Sequence, residues 1–214
     1  MTFLKQLVKK TLRYEARLVL KKYKPKIIAI TGSVGKTLTK EAVYLVLSKK
    51  FFIRKNEKSF TAELGVSLAI IGSPYGLSTY IDFVQALIFG LKIILFRTKY
   101  PEWLILEIDA DKPGDLTQVN SLISPDILIM NTVGEVPSHI EVFGSLDGFL
   151  SESKSIIENV KKDGVIIYNA DDHVVSNLLK DTSHRKISCG TSDGFDTEGS
   201  EFAILYSKDK IDSI

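Results

Sequence analysis

The sequence predicts an α/β fold, a mostly parallel sheet flanked by helices, with an N-terminal amphipathic helix ahead of it. Three observations predict this. Short, nearly continuous apolar runs recur at 26–30, 102–108, 126–131 and 164–168, as strands buried on both faces require. Segments of helical periodicity alternate with them. The chain has 214 residues, 44% of them apolar, enough for one domain with a sizeable core.

Residues 2–22 form the first element. Leu4, Val8, Leu12, Ala16 and Val19 recur at three- and four-residue spacing, and Lys5, Lys9, Arg13 and Arg17 make a neighbouring stripe. Residues 1–26 hold nine Lys/Arg against the single acid Glu15, a local charge of +8. The whole chain carries only +2, so the remainder carries −6. Such a helix can lie on an anionic membrane surface or dock on the body behind it. The expected division is a basic amphipathic helix at 1–24 and an α/β body at 25–214.

The body continues with a strand at 26–30, a helix at 36–48 and a strand at 51–54. Helices follow at 62–71 and 80–96. The second of these is apolar on most sides but interrupted by Asp82, Gln85 and Lys92, so it reads as packed and not as membrane-spanning. Then come a strand (102–108), a helix (114–122), a strand (126–131), a helix (145–161), a strand (164–168) and a helix (172–179). Short strands close the chain at 186–189 and 201–206, and residues 191–200 read as an exposed loop.

Composition excludes several classes. The charge and apolar content are wrong for disorder, and one cysteine, Cys189, makes no internal disulfide and points to a reducing cytoplasm. An acidic body whose basic head lacks interleaved aromatics argues against nucleic-acid binding. No signal peptide is legible.

Parallel sheets bind ligands outside the carboxyl ends of their strands. After the first strand stands Thr31-Gly32-Ser33-Val34-Gly35-Lys36-Thr37, then a helix. Glycines let backbone N–H groups turn toward phosphate, the helix terminus adds a positive dipole end, Lys36 reaches the terminal phosphates, and the Thr37 hydroxyl can bind Mg²⁺. Ile30 occupies the first glycine of the long phosphate-loop pattern, so the match is to the shorter T-G-x-x-G-K-T form, P-loop NTPase-like in kind. After 102–108, Glu107 and Asp109 share one strand face and can hold Mg²⁺ directly or through water. After 126–131 comes His139, a metal ligand, a proton handler or a structural residue. After 164–168 come Asn169 and Asp172, which can contact nucleotide or, for Asp172, cap the next helix.

Five strings, IIAITGSVGKTLTKEAV, SFTAELGVSLAII, LILEIDADKPGDL, NTVGEVPSHIEVFGSLDG and KKDGVIIYNADD, together resemble the central ATP-binding domain of the Mur ligase family. The resemblance implies an ATP-dependent carboxylate–amine ligase of peptidoglycan precursor synthesis acting through an acyl phosphate. The member it most resembles adds D-alanyl-D-alanine to a UDP-muramoyl peptide. Lys36 and His139 are then catalytic: Lys36 stabilises the transferring phosphoryl group and His139 helps bind a second Mg²⁺. Thr37 and Glu107 hold the first Mg²⁺. Gly32, Ser33, Val34, Gly35, Lys36, Thr37, Asn169 and Asp172 contact ATP. The expected location is the cytoplasm, with the inner membrane surface reached through residues 1–22.

Some positions depart from the family. Leu38 stands where Thr or Ser is usual, Thr61-Ala62 stand in an Asn-containing segment, and Asp109 replaces a common glycine. Ser153 falls where relatives carry a carbamylated lysine, with Lys154 one residue away. The family's C-terminal domain would follow residue 214, which makes the body C-terminally incomplete and leaves room for a partner chain. The alternative reading is a non-catalytic Mg-ATP-binding module.

Overall fold

The computed structural model describes residues 2–56, 62–74, 79–137, 140–191, 194–198, 205–207 and 210–213. The elements run α1 (Thr2–Tyr23), β1 (Lys26–Thr31), α2 (Lys36–Leu47), β2 (Ile53–Lys55), α3 (Ala62–Ile71), α4 (Tyr80–Leu95), β3 (Trp103–Glu107), α5 (Asp115–Asn120) and β4 (Ile127–Met130). They continue α6 (Ile140–Phe143), α7 (Leu146–Glu158), β5 (Val165–Asn169), α8 (His173–Leu178), β6 (Arg185–Gly190), β7 (Thr197–Glu198), β8 (Leu205–Ser207) and β9 (Lys210–Ser213).

Seven strands form one sheet in the order β2-β3-β1-β4-β5-β6-β7, with every pairing parallel. β1 lies inside it, flanked by β3 and β4. Period-two alternation splits its side chains. Ile27 and Ala29 enter the larger core, with residues of α1, α3, α5 and α7. Ile28 and Ile30 enter a smaller core under Val43, Tyr44 and Leu47 of α2. The sheet is thus covered on both faces, as the unbroken apolar runs require.

α1 docks on the body. Leu12, Ala16 and Val19 are fully buried among residues of α3 and α4. Arg17 donates to the Ser121 carbonyl at 3.0 Å, and Lys22 donates to the Ile93 and Phe96 carbonyls at 2.9 and 2.7 Å. The central part of the apolar stripe that the sequence offered to either a membrane or the body is therefore taken up by the body.

The structure corrects the sequence reading at the chain's end. Residues 191–200 are not wholly loop: Thr197–Glu198 add a parallel strand beside β6. β9 pairs antiparallel with β8 in a separate two-stranded sheet. Of the strand expected at 201–206, residues 201–204 lie outside the described residues. α6, one turn long, carried no periodic signal.

Candidate phosphate site at the carboxyl edge of the sheet

β1 ends at the sheet's carboxyl edge between β3 and β4, and residues 32–35 turn the chain into α2. Gly32 has φ 129°, and a Cβ there would sit 3.0 Å from the Asn131 backbone, so the loop lies directly on β4's end. Gly35, at φ 82°, is the N-cap of α2, with no side-chain hydrogen bond to the first turn. The Ser33 and Val34 amides donate to the Thr132 carbonyl at 2.8 and 3.2 Å. In this conformation an incoming phosphate meets the uncapped head of α2 first.

Lys36 folds back over the loop. Its Nζ donates to the Gly32 and Ser33 carbonyls at 2.7 and 3.2 Å and pairs with Asp109 Oδ1 at 2.7 Å. Thr37 Oγ1 donates to Glu107 Oε1 at 2.7 Å. Glu107 is the last residue of β3, as the sequence reading had it on the strand, whereas Asp109 lies two residues beyond the strand's end.

Glu107 is buried and held from three sides. Lys40 Nζ pairs with Oε2 at 2.7 Å, both side chains being 3% exposed. Asn56 donates to the Glu107 carbonyl at 3.1 Å and accepts from its amide at 2.9 Å. Lys40 thereby fixes one carboxylate oxygen and leaves the other beside the Thr37 hydroxyl. Two hard oxygens side by side suit a small cation that keeps most of its own water, as Mg²⁺ does. Among the described residues no group of three or more His, Cys, Asp or Glu gathers into a metal cluster.

Asn169 and Asp172 stand on the next strand tips. Asn169 donates to Thr132 Oγ1 at 2.8 Å. It lines a largely apolar cavity of about 560 Å³ with Thr39, Val43, Asn131, Tyr168 and Gly190. It also borders a second cavity of about 300 Å³ with Thr132, Gly134 and His173. Asp172 caps α8, accepting from the Val174 and Val175 amides, and its other oxygen accepts from the Val133 and Gly134 amides at 2.7 and 2.9 Å. Burial raises its pKa, but these four N–H groups together hold it below the usual carboxylate range. Asp172 therefore shapes the loop after β4. Ser138 and His139, further along that loop, lie outside the described residues.

The model of the Mur ligase middle domain matches residues 30–213. The chain belongs to the Mur ligase family. Its relatives include the UDP-N-acetylmuramoyl-tripeptide–D-alanyl-D-alanine ligase of Bacillus subtilis (strain 168), 26% identical over 162 residues that make up 76% of this chain and 30% of that protein. The enzyme of the same name from Rickettsia prowazekii (strain Madrid E) is 28% identical over 183 residues, 86% of this chain and 35% of its own length. The chain spans about a third of the length of these relatives. Among solved structures, the MurF ligase from Thermotoga maritima in complex with ADP matches with a TM-score of 0.70 at 25% identity, covering 94% of this chain and 40% of that one.

Within this Mur ligase middle domain the departures at 38, 109 and 153 now have places, while Thr61 lies outside the described residues. Leu38 is 73% exposed on α2. Asp109 pairs with the loop lysine. Ser153 is buried and donates to the Phe149 carbonyl of its own helix at 3.1 Å. Lys154 is exposed and borders a different cavity with Asp181 and His184, so it does not stand in for a lysine at Ser153.

Sequence reasoning missed Lys40, Asn56, Asn131 and Thr132. Lys40 alone carried a legible signal: it follows Lys36 by four residues and precedes Val43 and Leu47, so a charge sits on the inward face of α2.

Proposed function

We propose that this chain carries the ATP-binding and phosphoryl-transfer part of a cytoplasmic carboxylate–amine ligase of peptidoglycan precursor synthesis, one that adds D-alanyl-D-alanine to a UDP-muramoyl peptide. One observation carries the reading: Lys36, Thr37 and Glu107 converge at the head of α2, the arrangement phosphoryl transfer needs. In this reading the substrate carboxylate takes the terminal phosphate of ATP, and the amine displaces that phosphate from the acyl phosphate. Mg²⁺, held by Thr37 and Glu107, supplies charge neutralisation at the phosphates. Lys36 leaves Asp109 and the loop carbonyls to bind the terminal phosphates. The cavity bounded by Thr39, Asn131 and Asn169 takes the nucleoside, and His139 serves a second metal. The names of the relatives and the ADP bound by the Thermotoga enzyme support this reading.

A second reading, a Mg-ATP-binding module without ligase activity, is favoured by Ser153, whose hydroxyl is turned into its own helix. Calorimetry of Mg-ATP with the chain and with Lys36→Ala tests what both readings share. A loss of affinity of at least about tenfold in the variant is expected, since a charged hydrogen bond to phosphate is removed. Equal affinities would sink both readings. ADP release with UDP-muramoyl tripeptide and D-alanyl-D-alanine, with the relatives' C-terminal part supplied in trans, then separates ligase from module.

A further inference from the structure

α4 presents a seam that no other described residue covers. Ala86, Gly90 and Ile93 face inward, while Ile81, Val84, Ile88, Leu91 and Leu95 are 50–68% exposed. Their spacing of three, four, three and four residues sets them along one side of a helix about 24 Å long. Phe96, 62% exposed, extends the seam. Scattered exposed aliphatics need no explanation, but a continuous stripe of this kind marks an interaction surface.

The charges around the stripe say what fits it. α1 packs along α4: Glu15 lies against Gly90, and Lys22 and Tyr23 bond the carbonyls at the end of α4. Lys92 of α4 is exposed, as are Arg97 and Lys99 just after the helix. The acids within these two segments face elsewhere. Glu15 is buried, and Asp82 bonds the Thr79 amide in the α4 capping box. An apolar stripe flanked by cations at this density would repel a second copy of itself. An anionic bilayer offers both an apolar interior and a diffuse negative surface.

We propose that α4, with the exposed cations Lys92, Arg97 and Lys99 in and just after it, is a docking surface for an anionic lipid bilayer. The lipid-contacting element is thus α4 and not the apolar side of α1. None of the described helices is long and apolar enough to cross a membrane, so the contact is peripheral. The surface lies on the opposite side of the sheet from α2 and the phosphate loop, which leaves the nucleotide site open while the chain is docked. The inference does not depend on the ligase reading.

The test is flotation of the full chain with phosphatidylcholine vesicles containing phosphatidylglycerol and with vesicles of phosphatidylcholine alone. Recovery with the anionic vesicles, reduced by salt, is expected. Ile88→Glu/Leu91→Glu should lower it at least about tenfold, because two exposed aliphatic side chains no longer enter the apolar layer. The thermal midpoint of that variant and its Mg-ATP affinity, read separately, should stay at wild-type values, since both residues are exposed. Lys92→Glu/Arg97→Glu/Lys99→Glu should weaken recovery and its salt dependence together. A folded wild-type chain that does not float with anionic vesicles overturns the proposal. So does flotation that the α4 variant leaves unchanged, or a solution dimer that the α4 variant dissolves while vesicle recovery stays as it was.

Discussion

Lys40 Nζ and Glu107 Oε2 are 2.7 Å apart with both side chains 3% exposed, and the other oxygen of that carboxylate accepts from Thr37. A buried pair gains little over an apolar one of equal volume, but losing one member leaves a bare charge inside the protein. Lys40→Met should therefore destabilise the fold by about 3–5 kcal/mol. Adding Glu107→Gln should return a good part of that loss, because the stranded charge is gone. Urea denaturation of the two single variants and the double measures the coupling. Additive losses would mean that the pair does not act as a unit.

Lys36 sits between Asp109 and two loop carbonyls, and nucleotide must replace those partners. Asp109 is 28% exposed at its side chain, so the pair is partly screened and worth about 1 kcal/mol at most. Asp109→Gly should tighten Mg-ATP binding by about threefold to fivefold, with a weaker salt dependence. Titration calorimetry across a salt series reads both. Weaker binding in the variant would instead give Asp109 a direct part in holding the metal.

Much of this site was legible from the sequence because it is local. The phosphate loop sits in one stretch, from Thr31 to Thr37, and Glu107 and Asp109 stand at and just past the tip of the neighbouring β3. The alternating apolar runs gave the parallel sheet for the same reason. What was not legible depends on distant partners. Asn56 braces Glu107 across 51 residues and Asp172 ties down the Val133 amide across 39, and no periodicity records such pairings. β7 is two residues long and exists only because β6 lies beside it, so propensity pointed to a loop. The apolar pattern of α1 identified a helix with one buried face, but pattern alone does not say whether protein or lipid buries it.

Asp172 uses both oxygens on four backbone amides, joining the start of α8 to the loop after β4. Asp172→Ala removes the helix cap and leaves the Val133 amide buried without its partner. A loss of about 2–4 kcal/mol is expected from those two causes. The carboxyl's pKa is lowered on folding, so its contribution is present above the ordinary 3.8 and is lost as pH falls through the lower folded value. Acid unfolding of Asp172→Asn, followed by circular dichroism, should lack that part of the acid limb. An unchanged acid limb would count against Asp172 as its source.

Glu15 behaves in the opposite sense. It is 7% exposed between α1 and α4, its Oε2 has no hydrogen-bond partner, and burial pushes its pKa up to about 7 from the ordinary 4.5. Between those two values the folded chain holds a proton that the unfolded chain has released, so stability falls as pH rises. The favourable contribution is complete below 4.5, declines through the interval, and is gone above about 7, where the carboxylate is charged inside the helix pair. Glu15→Gln removes the titration and keeps the shape. The variant should match the wild type near pH 4.5 and exceed it by about 2–3 kcal/mol at pH 8, the free energy of a shift of this size less what solvent screening beside the helix pair removes. Thermal or urea melts at several pH values give the curve. A constant difference between the two proteins across that range would show that Glu15 does not ionise where its burial places it.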